Sequence, residues 1–311
     1  MAFDTLVEAG KLSNNKLEKG VIELLYKENP VLSRMPFMDI TGNGWTYNVE
    51  TTMSSANFYN VGDVWNESSP TVTQTTAVLK ILGQDADVDK FLQKTMTDTN
   101  DLERLAIEAA TKAVEWEFMD AFFYGSTSSN KGFNGLHSLI SNTTYNTVHA
   151  GTDTGTALSI AKLREAIDMV KGTPSMIISS KLMRRTMTTY LDSVGAAFTG
   201  GRDDFGIPTK YFSEIPWYVC DFITDTETAS SGAYAAKTGG GNTSIFVLSF
   251  EPKGKALTGL QNGKITVEPV GTLQNKDANR FRIKWYCSLA LPSIITCAKV
   301  DGIDADGTVT A

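Results

Sequence analysis

The chain has 311 residues, 41% of them hydrophobic and 20% charged, with a formal charge of -7. That is the composition of a folded protein able to bury one large core or two joined ones, and it excludes a disordered chain. No run approaches the ~20 apolar residues that cross a bilayer, and the early residues alternate charged and apolar positions, so synthesis and assembly in a cytoplasm are expected.

In chain order, the first segment with a pattern is "LEKGVIELLYKEN", a predicted helix with Leu17, Val21, Leu24 and Leu25 on one stripe, ended by Pro30. An isolated helix of this length is marginal in water, so its stripe must pack on something else. From Gly42 to about Leu82 the period becomes two. "GWTYNVETTM" puts Trp45, Tyr47 and Val49 on one side, and "TVTQTTAVLKIL" is rich in strand formers, with the polar "NVGDVWNESSP" between them. This predicts a long hairpin with a broad tip, which two strands alone cannot stabilise.

From Asn100 the period returns to 3.6. "NDLERLAIEAATKAVEWEFMDAFFYG" opens with an Asn100/Glu103 capping pair, carries Leu102, Leu105, Ala106, Ala109, Ala113 and Trp116 on one face, and stops at Gly125. Its length makes it a structural spine of about 35 Å. Residues 154–250 predict an α/β unit: the helix "TALSIAKLREAIDMVKG", the short buried strand "SMIISS", and the helix "SKLMRRTMTTYLDSVG" capped by Ser179 or Ser180. Within the last of these, Arg184 and Arg185 are expected on a solvated face. A glycine-rich loop and a turn-strand segment follow. Near the end, "NRFRIKWYC" alternates Phe281, Ile283 and Trp285 against Arg282 and Lys284, a strand with one buried face.

Little here points to chemistry. Cys220, Cys287 and Cys297 are odd in number and widely spaced, so they form neither a disulfide framework nor a zinc pattern and are expected to be buried. His137 and His149 lie in polar loops without a second ligand at helical spacing, so no metal and no catalytic residue is expected. "DADVD" (Asp85, Asp87, Asp89) imitates the start of a calcium loop, but Lys90 and Met96 stand where that loop needs glycine and glutamate, leaving a solvated carboxylate edge. "DADG" (304–307) reads as a frayed tail. The glycine-rich stretch "YGSTSSNKGFNGLHSLI" (124–140) resembles a phosphate loop, yet it follows a helix, whereas a phosphate loop precedes one to use the free N–H groups of the helix start. It is expected to be a corner, where glycines let the chain reverse. No cofactor is expected.

A thin arm, an unsupported hairpin, a spine helix, an α/β unit and return strands together describe a subunit of an assembly. Three stretches, "VGDVWNESSPTVTQTTAVLK", "EWEFMDAFFYGSTSSNKGFNGL" and "SMIISSKLMRRTMTTYLDSVG…GIPTKYFSEIPWYVCD", occur in an order that resembles the major capsid proteins of tailed bacteriophages. The resemblance implies an α+β, Hong Kong 97-type capsid fold. Its parts would be an N-terminal arm (1–40), an extended β-hairpin loop (41–85), a peripheral domain with the long spine helix (86–153), and an α/β axial domain (154–250). Peripheral return strands (251–290) and an axial strand with tail (291–311) complete it.

It further implies a structural protein, not an enzyme, that forms hexamers and pentamers of itself in an icosahedral virion shell around double-stranded DNA. Its partners would be a separate scaffolding protein, a portal at one vertex and, on the outside, a decoration protein, with no membrane. Leu24 and Leu25 on the arm, Trp65, Asn66 and Glu67 at the hairpin tip, and Arg202 and Asp203 in the axial loop become subunit-interface candidates. Some relatives weld their shells through a hairpin lysine; the stretch from Met35 to Leu79 has none, which predicts a non-covalent shell. The negative charge argues against a surface that grips DNA and fits a weakly repulsive inner wall. An encapsulin-type bacterial compartment has the same fold and is the functional rival. A secreted adhesin or surface-layer protein is disfavoured because no export signal is seen.

Overall fold

The structure is a computed structural model and describes residues 29–95, 102–127, 131–141, 144–151, 155–195, 199–202, 206, 208–228, 237, 239–251 and 255–310. The arm helix with Leu24 and Leu25, the Asn100 cap and Asp203 lie outside these residues.

Among the described residues, three sheets organise the chain. Strands β2 (Gly44–Thr52) and β3 (Thr71–Val78) form a two-stranded antiparallel hairpin. A five-stranded sheet is built on the long strand β13 (Ala278–Ala290). On it lie β4 (Lys80–Asp89), β11 (Thr258–Gln261) and β12 (Thr266–Thr272), while β1 (Phe37–Asp39) pairs in parallel with β11. A seven-stranded mixed sheet takes the order β5-β14-β10-β6-β9-β8-β7. These strands are β5 (Thr147–His149), β6 (Met176–Ser179), β7 (Thr199–Arg202), β8 (Pro208–Phe212), β9 (Ile215–Val219), β10 (Asn242–Leu248) and β14 (Ala298–Asp304).

The helices are α1 (Lys90–Thr95), the spine α2 (Leu102–Tyr124), α3 (Leu136–Leu139), α4 (Ile160–Met169) and α5 (Lys181–Ser193). The spine forms where its alanines and straight-chain residues favour helix. Its buried stripe is Leu102, Ala106, Ala110, Val114, Phe118 and Phe122, which corrects the face expected from sequence: Ala109 is exposed, and Leu105, Ala113 and Trp116 are half-buried. The i, i+4 ridge carries the small residues that let the helix sit close on β4 and β13, and only a packed partner selects that ridge. On β13 the expected alternation holds, with Ile283 and Trp285 buried and Arg282 exposed.

Strands β6 and β10 are buried along their whole length, because the seven-stranded sheet is covered on both faces. Ile178, Phe246 and Leu248 face a first core shared with the spine and the five-stranded sheet. Ile177, Ile245 and Val247 face a second core filled by Leu163, Ala166, Met183 and Met187 of α4 and α5. Ser180 caps α5 by accepting from the Met183 N–H at 3.2 Å, while Ser179 turns inward to accept from the Trp217 indole at 2.7 Å. All three cysteines are buried thiols; burial pushes Cys287 up to about 12 and Cys297 up to about 11.

Two carboxylate readings need correction. Asp85 and Asp87 do not form a solvated edge: Arg282 and Arg280, directly opposite on β13, donate to both oxygens of each at 2.6 to 2.9 Å. Asp89 instead caps α1, accepting from the N–H groups of Phe91 and Leu92. The 304–307 tail is not frayed. Ala305 and Val309 are buried, and Thr310 bonds Leu158 and Ile160 through its backbone. Pairing with the segment before α4 satisfies those groups, which composition cannot reveal.

The Arg282 and Arg280 bonds hold the Asp85 and Asp87 carboxyls below the ordinary range. A folded-state value below the unfolded one stabilises the fold above about pH 4 and loses that contribution as pH falls further. The Asp85→Asn/Asp87→Asn variant is therefore expected to be less stable than wild type at neutral pH and to converge with it toward pH 3. Denaturant unfolding at stepped pH checks this; a stability gap that widens on acidification would sink it.

Candidate subunit-contact surfaces

The hairpin tip is ordered by its own polar bonds. Gly62, at φ +95°, allows a turn in which Asp63 N–H donates to the Asn60 carbonyl and Asp63 Oδ2 accepts from Asn60 N–H at 2.6 Å. Trp65 stacks on Tyr59 with centroids 4.5 Å apart, and the Tyr59 hydroxyl accepts from Asn66 N–H at 3.1 Å. Trp65 is nevertheless 78% exposed, and Phe58, Val61 and Val64 beside it are exposed too. A contiguous apolar group that a folded chain leaves in water marks a contact surface.

Trp65, Asn66 and Glu67 thus share one tip. Arg202 stands elsewhere, exposed at the end of β7 on the edge of the seven-stranded sheet, where Tyr211 donates to its carbonyl at 3.0 Å. Sequence reasoning missed Phe58, Val61 and Val64, although an aromatic-rich "NFYNVGDVW" inside a polar loop is a legible signal. Two further apolar side chains, Ile81 on β4 and Phe91 on α1, are exposed as well.

The corner after the spine folds back on the helix instead of opening a cradle. Gly125 N–H donates to the Ala121 carbonyl and Gly135 N–H to the Gly125 carbonyl, both at 2.8 Å. Neither glycine has a positive φ; what each supplies is space, since a Cβ would lie 2.3 Å from the Ala121 carbonyl at Gly125 and 2.5 Å from it at Gly135. The reason for glycine is close backbone approach, and not the conformational freedom expected from sequence.

Both histidines also depart from the loop reading. His137 is fully buried on α3, its ring stacked on Tyr124 and its Nε2 3.4 Å from Glu227 Oε1. His149 ends β5, its Nδ1 2.5 Å from Asp301 Oδ1, while Lys299 reaches the other Asp301 oxygen at 3.0 Å. Glu227 gathers three elements: the Tyr124 hydroxyl from the spine end and the Ser244 hydroxyl from β10 each donate to it at 2.5 Å. Burial and the Glu227 charge hold the Tyr124 phenol well above its usual range, so it stays a donor. Among the described residues no cluster of three metal-ligating side chains occurs, and no helix is long and apolar enough to cross a membrane.

Residues 13–163 match the family model described as major capsid protein GP7. Comparison with curated proteins gives no match. Among solved structures, the SrpI encapsulin of Synechococcus elongatus is similar over 98% of both chains, with TM-score 0.73 and 15% identity. The capsid protein of a native GTA particle is similar over 97% of this chain and 100% of its own, with TM-score 0.68 and 12% identity. A chain from Mycobacterium phage Bobi aligns over 95% of this chain and 97% of its own, with TM-score 0.61 and 11% identity. The likeness to all three spans 95% or more of each chain, and the chain has the Hong Kong 97-type fold of the tailed-bacteriophage major capsid proteins.

Proposed function

We propose that this chain is a major capsid protein that assembles with itself, as hexamers and pentamers, into a closed icosahedral shell around the double-stranded DNA of a tailed phage. It is a structural protein without catalysis. The observation that carries the reading is the hairpin: two strands whose aromatic tip is exposed, on a fold similar over nearly its whole length to a chain of a GTA capsid and to one from Mycobacterium phage Bobi. Such a tip is stable in water only when a neighbour covers it. On this reading the arm and hairpin interlock neighbouring subunits without covalent bonds, the α/β unit turns toward the capsomer axes, and the five-stranded sheet with the spine forms the peripheral domain. A scaffolding protein, a portal and a decoration protein are its further partners, and the virion is its place. A second reading, an encapsulin-type compartment enclosing cargo enzymes, is favoured by the likeness to the SrpI encapsulin over 98% of both chains.

Negative-stain microscopy of the purified chain is expected to show closed shells, and the nucleic-acid content of particles from an infected host separates the two readings. In the same assay Trp65→Ala is expected to cut the assembled fraction at least about tenfold, since a buried aromatic anchor contributes about 2 kcal/mol or more at an interface. Its own unfolding free energy should stay within about 0.5 kcal/mol of wild type. Wild-type protein that stays monomeric under all assembly conditions would overturn the shell reading.

A further inference from the structure

A concave pocket of about 580 Å³ lies between the 29–34 turn, helix α5 and strands β7, β8 and β9. The described residues lining it include three cations, Arg34, Arg184 and Lys210, and no aspartate or glutamate. Arg34 is held in place: its guanidinium sits 4.2 Å over the Tyr218 ring, and its Nη1 donates to the Pro30 carbonyl at 3.0 Å and to Ser33 Oγ at 3.2 Å. Arg184, expected on a solvated helix face, is half-buried in the wall. Lys210 enters from β8 with its Nζ 3.4 Å from Thr188 Oγ1. Pro30, Pro208 and Trp217 supply apolar wall.

Three cations converging on a concavity with low-dielectric walls favour an anionic occupant. Duplex DNA is a poor fit, because its phosphates lie on the outside of a wide convex cylinder; a carboxylate projecting from a loop enters such a pocket. The chain itself carries that loop. From Met35 to Leu79 there is no Lys, Arg or His, while Asp39, Glu50, Asp63 and Glu67 are all acidic. Asp63 and Glu67 stand at the exposed hairpin tip next to Trp65, so a copy's own pocket does not hold its own tip.

We propose that the Arg34–Arg184–Lys210 pocket of one copy receives the acidic hairpin tip of a second copy, with Glu67 as the carboxylate anchor. This rests on the shell reading and names the surface that the tip meets. Charge complementarity across such a contact sets register and partner choice.

Charge reversal tests it. Arg184→Glu/Lys210→Glu is expected to lower the assembled fraction about tenfold or more with thermal unfolding unchanged, and Asp63→Lys/Glu67→Lys to do the same. All four substitutions in one chain should restore assembly. As a second measurement, Glu67→Cys chains co-assembled with Lys210→Cys chains should give a mixed dimer on denaturing gels after treatment with a bis-maleimide linker that spans the reach of an ion pair, because the native thiols are buried. Wild-type shells that tolerate Arg184→Glu/Lys210→Glu, assembly lost without restoration in the fourfold variant, or absence of the linked mixed dimer would each overturn this contact alone. A wild-type chain that forms no shell overturns the shell reading itself, and the contact with it.

Discussion

Replacing Glu227 by alanine is expected to lower the unfolding free energy by about 3–5 kcal/mol, the cost of breaking a buried charged network by removing one member. Glu227 is 1% exposed, and the spine's end, the corner helix and β10 all meet on it through Tyr124, His137 and Ser244. Truncation leaves the two hydroxyl donors buried without their acceptor, and each such group costs about 1–3 kcal/mol. Glu227→Gln keeps the volume and one acceptor oxygen, so it should lose less than half as much. Urea unfolding of the isolated chain checks the order; an alanine variant within about 1 kcal/mol of wild type would remove the network's structural role. The Tyr124 phenol adds an alkaline signature. Its folded value is raised above the unfolded one, so its contribution is complete below about pH 10 and is lost as pH climbs beyond.

The second large effect is expected from Phe118→Ala, at about 3–5 kcal/mol. Phe118 is fully buried in the last two turns of the spine, and its ring lies 4.6 Å from Trp285, 5.5 Å from Phe133 and 6.2 Å from Phe37. It joins the spine to β13, the corner and β1 at one point, and rigid aromatic neighbours cannot collapse into the void. A drop of the unfolding midpoint by about 5–8 °C is expected in calorimetry. Phe118→Leu, which retains much of the volume, should cost less than half; equal losses for both variants would argue that ring-specific contacts, and not volume, dominate.

Much of the fold was legible because it is written in local periodicity. The spine, the hairpin, the α4–β6–α5 run and the alternation on β13 follow from spacing, capping residues and strand formers over short windows. The errors share one cause. The buried stripe of the spine, the carboxylates of "DADVD", the two histidines and the C-terminal tail were each decided by a partner distant in sequence. Arg280 and Arg282 lie nearly two hundred residues from the aspartates they hold, and Glu227 about a hundred from Tyr124.

The candidate contact surface divides in the same way. Trp65, Asn66 and Glu67 could be named from the resemblance of the hairpin stretch to a capsid loop, whereas the pocket formed by Arg34, Arg184 and Lys210 has no signature in any stretch of chain. Sequence alone determined which segments become helix or strand, the hairpin's lack of cations and the absence of a familiar catalytic motif, since these depend on residue type and short-range spacing. Tertiary structure decided which polar groups are paired, which face of the spine is buried, why the corner needs glycine, and where three cations converge. Those outcomes depend on which surfaces meet across long chain separations, and the free energy of pairing or desolvating a group exists only once they do.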